Sequence, residues 1–504
     1  MHVLFATAEI APFCPDTEVS RICARWAGAL NVYKPPRTRD GEYPRSPVRD
    51  VSVIMPLHSF IDRDGEALAR RLRGLTVTFE GQVHTVTIFE GRTPERVRVF
   101  FVEHALFDRA HVFGAPGEEP YGDNAHRYAF FSRCVVEFCR TYPLDVDIIH
   151  CHDWPTALVP VYLNTAYAED EALSPVLTCL SLYDLAQQGV FGPEHFQGME
   201  LPEDLLAPDA LEHEGKLNLT RGGILFADGV VTASPSYTDA VMAEPAACGL
   251  SDVLDYRGYD VFGLLRGVDY EQWDPASDPH IAVRYNVEHL NGKRRNKSEL
   301  QHVFGLPLRP LVPVVGMIGE LTEANGVAEF VATVEPLLST DGALQVIVVG
   351  DGDDASKGAL VALAERHPRT VGLHFGPRDE KLEHNLLAGL DMLVVPRPAH
   401  AFDARTITAM GYATIAVAPR FGSFADTVEE WSAGKGADKD KGAGFLFDLD
   451  ANGGLASALW RALDTYRNPR HWRPLQETCM KVDYSWEQSA GTTIALYEEL
   501  LGEA

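Results

Sequence analysis

Asp147-Ile-Ile-His-Cys-His-Asp-Trp-Pro-Thr-Ala-Leu158 passes from a short apolar run through a polar tip into helical spacing. Asp147-Ile-Ile-His150 reads as a buried strand, and a histidine at the end of such a strand lies where open α/β sheets usually bind ligands. Asp153, directly before the helical stretch, is suited to capping free N–H groups there, and Trp154 to packing beneath the helix. An isolated histidine in this setting is also commonly a structural residue, so both readings of His152 stay open. The same rhythm extends outward in Val3-Leu-Phe-Ala-Thr7, Val51-Ser-Val-Ile-Met55, Val97-Arg-Val-Phe-Phe-Val102, Val176-Leu-Thr-Cys179 and Gly229-Val-Val-Thr-Ala233. Longer segments of helical spacing separate these runs, which predicts a parallel sheet with crossover helices.

The rhythm restarts with Val312-Pro-Val-Val-Gly-Met-Ile318, Leu344-Gln-Val-Ile-Val-Val349, Val371-Gly-Leu-His374, Met392-Leu-Val-Val395 and Thr414-Ile-Ala-Val417. Two doubly wound α/β domains follow, joined near Leu265-Arg-Gly-Val-Asp-Tyr-Glu-Gln-Trp-Asp-Pro275, with a cleft between them as the default ligand site. A chain of 504 residues supports that division. Its 72 acidic against 44 basic residues give a formal charge of -28, which disfavours nucleic acid and anionic membranes as partners. The eight cysteines are scattered singly with no metal-ligand spacing, and neither a signal peptide nor a membrane span is legible, so a cytoplasmic protein is expected. Lys34–Pro47 and Lys435–Gly442 read as surface loops, the first a Pro-rich strip of the kind that can dock partners.

Val3-Leu-Phe-Ala-Thr-Ala-Glu-Ile-Ala-Pro-Phe13 resembles the opening of bacterial glycogen synthases and plant starch synthases. The likeness continues in order through Tyr121-Gly-Asp-Asn124, Arg127-Tyr-Ala-Phe-Phe-Ser-Arg133, the His152-Asp-Trp run, Gln188-Gly-Val-Phe191, Asp269-Tyr-Glu-Gln-Trp-Asp-Pro275, Gly444-Phe-Leu-Phe447 and Tyr484-Ser-Trp-Glu487. The resemblance implies the GT-B architecture, two Rossmann-like domains facing a cleft. It places an acceptor-side domain at 1–262, a nucleotide-sugar domain at 263–482, and a last helix at 483–504 that crosses back onto the first domain. It also implies a metal-free transfer of glucose from ADP-glucose or UDP-glucose to an α-1,4-glucan, with cations and backbone N–H groups stabilising the departing diphosphate.

Several positions depart from the pattern that the resemblance implies. An S-R-L-T-x-x-K-G loop becomes Gly319-Glu-Leu-Thr-Glu-Ala-Asn-Gly326, with Glu320 for the arginine and Asn325 for the lysine. Two lost charge-assisted contacts of roughly 1.5–3 kcal/mol each, and a carboxylate near a phosphate at about 3 kcal/mol, sum to roughly 6–9 kcal/mol. The K-T-G-G-L loop is replaced by Pro15, Asp16, Thr17 and Glu18; His400 stands for the glutamate of E-P-C-G-L, Arg266 for an asparagine, and Tyr183 for a histidine. Among the reactive positions His152 alone is clearly kept, beside Asp153. Arg266, Arg378, Arg397, Arg405 and Arg420 lie in segments expected to line the cleft, and are the candidates for replacement cations.

Gly350-Asp-Gly-Asp-Asp354 offers Gly350 and Gly352 as a weak phosphate loop, and its Asp351 and Asp353 read better as acidic helix-start residues than as metal ligands. No metal and no cofactor are expected beyond a sugar nucleotide, should the chain be active. The leading expectation is a catalytically inactive or severely impaired relative that holds an α-glucan or a protein partner such as an active synthase. The rival is a working α-1,4-glucan synthase with relocated cations.

Overall fold

The computed structural model describes residues 1–14, 17–37, 44–115, 118–340, 344–397, 402–434 and 440–502. The chain divides into two compact units, Met1–Gly267 with Trp486–Ala504, and Val268–Ser485. Pro15 and His400, with the centres of both expected loops, lie outside the described residues.

In the first unit the strands are β1 His2–Ala6, β2 Asp50–Pro56, β3 Ala69–Phe79, β4 Gln82–Arg92, β5 Arg98–Glu103, β6 Ile148–His152, β7 Leu177–Ser181, β8 Val190–Phe191, β9 Glu212–His213, β10 Lys216–Asn218, β11 Gly229–Thr232 and β12 Val261–Gly263. Among the described residues nine of them form one sheet in the order β12-β11-β7-β6-β1-β2-β5-β4-β3, and β8-β10-β9 form a small separate sheet. Pairing is parallel from β12 through β5, but β5, β4 and β3 pair antiparallel. The strands expected from the sequence pair in parallel, and the antiparallel β3 and β4 extend the sheet at this edge. A two-residue turn at Glu80-Gly81, both with positive φ, joins β3 to β4 as a hairpin, where a parallel partner would have required a crossover helix.

β1 and β6 are buried along their whole length, which suits a strand covered on both faces. The helix Glu18–Val32 is capped by Thr17, whose hydroxyl accepts from Ser20 N–H, and buries Ile22, Cys23, Trp26, Ala27 and Leu30 at helical spacing. The last helix, Trp486–Leu500, buries Ala490, Thr493, Ile494, Leu496 and Tyr497 and belongs to the same hydrophobic cluster as Trp26 and Val3. Trp26 Nε1–H donates to Thr493 Oγ1 at 2.9 Å.

The second unit holds β13 Val314–Leu321, β14 Gln345–Gly352, β15 Val371–Phe375, β16 Met392–Val394, β17 Ile415–Pro419 and β18 Gly444–Phe447. They form one parallel sheet in the order β15-β14-β13-β16-β17-β18. In each unit the first strand lies inside the sheet and the order reverses beside it, between β1 and β6 in one and between β13 and β16 in the other. Those are the topological switch points where doubly wound sheets bind ligands, at the carboxyl ends of the strands.

Candidate functional site

At the switch point of the first unit, β6 ends in His152 and the chain turns sharply at Asp153, which has φ +60°. His152 is 1% exposed. Its Nδ1 shares a hydrogen bond of 2.7 Å with the Tyr183 hydroxyl, while its Nε2 has no partner among the described residues. Burial, then His150 and Arg266, push its pKa well below the usual imidazole range, so the ring is neutral at physiological pH. Arg266 lies over the Tyr183 ring at 4.2 Å and points toward Leu182 O.

Asp153 does not cap the short helical turn that follows it; its carboxylate instead accepts from Tyr183 N–H at 3.2 Å. Its positive φ turns the side chain back toward β7, which corrects the capping expectation. Trp154 does pack, with its indole against Phe113, Tyr128 and Phe191. Glu9, three residues beyond β1, is buried. Burial pushes its carboxyl up to about 7 against the opposing Thr17 hydroxyl, and burial likewise raises Asp153 to about 7 against the Tyr183 N–H and Arg266. The site gathers His152, Asp153, Tyr183, Arg266 and Glu9: a neutral imidazole and two carboxyls able to carry protons at neutral pH. Such a set suits recognition of hydroxyl groups. Glu18 sits apart from it, in the first turn of the helix capped by Thr17.

At the switch point of the second unit, β13 runs out through Gly319, Glu320 and Leu321 into the loop before the helix Val327–Leu338. Glu320 is exposed. Asn325 Nδ2 donates to Thr322 Oγ1 at 3.0 Å, so its amide is spent within the loop. Gly350 and Gly352 lie on β14 opposite Gly319 and Leu321. A Cβ at Gly350 would sit 1.7 Å from Gly319 O and one at Gly352 2.0 Å from Leu321 O. Both glycines are therefore required by the closeness of the two strands, irrespective of any phosphate.

Arg405 reaches the start of this loop with its guanidinium. Its Nη1 donates to Ile318 O at 2.8 Å, and its Nε and Nη2 grip both Asp403 oxygens at 3.0 and 2.8 Å. Asp403 also caps the helix Ala404–Gly411, accepting from Arg405 N–H at 2.9 Å. A carboxylate of the chain thus stands where a helix amino end would otherwise face an anion. The three other candidate arginines of this unit, Arg378, Arg397 and Arg420, face acids as well. Arg378 donates to Glu383 at 2.8 Å, Arg397 is 3.9 Å from Glu329, and Arg420 lies 3.3 Å from Asp448 and 3.8 Å from Glu430. Asp353 caps the helix Asp354–Arg366 through Ser356 N–H, and Asp351 pairs with Lys357 at 3.0 Å. Among the described residues no group of three or more His, Cys, Asp or Glu side chains gathers as a metal site, and no helix is long and apolar enough to cross a membrane.

Sequence reasoning missed Glu9 and Asp403 as site residues. Glu9 follows the carboxyl end of the first strand, and Asp403 immediately precedes an apolar-spaced helix, so position alone could have found both.

Residues 2–256 match the family model of the starch synthase catalytic domain, and residues 312–465 match that of the group 1 glycosyl transferases. The chain is 34% identical to the glycogen synthase of Anaeromyxobacter sp. strain Fw109-5, over 99% of both chains. It is also 34% identical to that of Thioalkalivibrio sulfidiphilus, over 99% of this chain and 100% of the relative. Among solved structures it is similar to the catalytic domain of starch synthase IV from Arabidopsis thaliana bound to ADP and acarbose. That likeness has a TM-score of 0.79 at 25% identity and covers 99% of each chain. The two sheets and their switch points are those of the GT-B fold.

Proposed function

Because the chain belongs to the starch synthase catalytic-domain family, we propose that it is a glycogen synthase-like GT-B protein whose transfer chemistry is severely impaired, and that it serves in the cytoplasm as an α-glucan-binding or protein-binding scaffold. One observation carries this reading: the carboxyl end of β13 presents Glu320, and Arg378, Arg397, Arg405 and Arg420 each face an acid. A leaving diphosphate needs preorganised positive charge, and here arginine charge is already answered by carboxylates of the chain. In the first unit His152, Glu9 and Asp153 gather at the switch point, and Asp153, the part-exposed member of the three, is the group a neutral glucan hydroxyl can reach, with buried His152 and Glu9 behind it.

A second reading, an active α-1,4-glucan synthase using ADP-glucose or UDP-glucose, is favoured by the names of the relatives and by the Arg405 guanidinium held against Gly319. In that case Arg405 would exchange Asp403 for phosphate. Calorimetric titration with ADP, ADP-glucose and UDP-glucose decides between them. Silence at millimolar ligand supports the scaffold, and micromolar binding to any of the three supports the enzyme.

A further inference from the structure

We propose that Tyr256 and Tyr259 form a surface platform for a neutral α-glucan chain, remote from the switch-point site of the same unit; the choice of ligand rests on the glucan-binding reading above. The two rings are 79% and 100% exposed, and neither has a ring, cation or hydrogen-bond partner among the described residues. Tyr256 belongs to the helix Ser251–Arg257 and Tyr259 to the turn Gly258–Asp260 that leads into β12.

The backbone beneath the rings is pinned. Val253 and Leu254 are buried, and Arg257 donates to Ile224 O at 2.6 Å, Leu225 O at 3.0 Å and Asp260 Oδ2 at 3.0 Å. Between the tyrosines, Gly258 leaves open ground, since a Cβ built there meets nothing within 4 Å. The helix and turn that carry the two rings are thus anchored to the unit, and both rings project into solvent from one surface segment.

The surroundings select the ligand. Asp252, Asp255 and Asp260 are exposed in the same segment, Asp252 paired with Arg221 and Asp260 with Arg257, and such a polar setting differs from the apolar core of a protein interface. With a formal charge of -28 the chain disfavours polyanions. A pyranose presents apolar C–H faces to aromatic rings and hydroxyl donors to carboxylates, and it carries no charge. The location separates this surface from the other site. β6, β7, β11 and β12 are parallel; His152 closes the carboxyl end of β6, while Tyr259 precedes the amino end of β12, three strand spacings or about 14 Å across the sheet.

Electrophoresis of the full chain through gels containing glycogen, and titration with maltoheptaose, test the proposal on wild type, Y256A/Y259A and Y256F/Y259F. Both positions are exposed, and equal melting temperatures confirm equal folding. The alanine pair is expected to weaken retention about tenfold, the loss of two aromatic contacts, while the phenylalanine pair keeps it. Retention unchanged in the alanine pair overturns the platform and leaves glucan binding elsewhere intact. No retention of wild type overturns the glucan reading itself. A change of oligomeric state in the alanine pair, with retention unchanged, reassigns the rings to contact between chains.

Discussion

Replacing Glu320 by arginine together with Asn325 by lysine restores the charge that the resemblance implies at the end of β13. Glu320 is exposed, so its repulsion of a phosphate about 5 Å away is close to the solvent value, about 1 kcal/mol rather than 3. Two new charge-assisted contacts at a solvent-facing loop are worth about 1.5 kcal/mol each. Together these give about 4 kcal/mol, or about a thousandfold in affinity for ADP, smaller than the sequence alone suggests. The Arg405–Asp403 pair is left in place, so the gain is not complicated by its rearrangement. Calorimetric titration with ADP reads the effect. An affinity that moves by less than tenfold, or a wild-type chain that already binds ADP at micromolar levels, refutes the reasoning.

Three further outcomes follow from buried groups. Lys293 is buried with its ammonium donating to Leu387 O, Ala388 O and Thr414 Oγ1, and burial pulls its pKa down to about 7. Between pH 7 and about 10 the unfolded chain keeps a proton that the folded chain has lost, so this group makes stability rise with pH; urea midpoints across that range should show the rise in wild type and a flatter profile in K293M. Glu9 and Asp153 act in the opposite sense, because carboxyls raised to about 7 keep protons in the folded chain that the unfolded chain has released above about pH 4. Relative to E9Q/D153N, wild-type melting temperatures should fall as pH rises from about 4 to 7. Y497F removes the partner of His150 Nδ1, 2.5 Å away under the last helix, and should lower unfolding free energy by about 1–3 kcal/mol in urea titration.

The parallel strands were legible because both their faces are covered, which makes them apolar runs, as in Ile415–Pro419 and the first four residues of β13. The β3–β4 hairpin was not, because β3 stands at the sheet edge and is mostly exposed at Ala69–Gly74, where arginines break the apolar signal. His152 was legible from its place at a strand end, but its bond to Tyr183 spans 31 positions and its Nε2 is left open by packing alone. The pairing of Asp278 with His384 and Tyr412, buried and 106 and 134 positions apart, leaves no trace in any local pattern. Glu320 was visible in the sequence, whereas Glu329 facing Arg397, and Glu430 and Asp448 facing Arg420, emerged only from the fold.

Transfer of labelled glucose from ADP-glucose or UDP-glucose onto glycogen by the unmodified chain tests the central claim most directly. With about 4 kcal/mol missing from the diphosphate site, the rate should lie about a thousandfold or more below that of an active relative assayed alongside. Incorporation at a rate comparable to the relative's would contradict it.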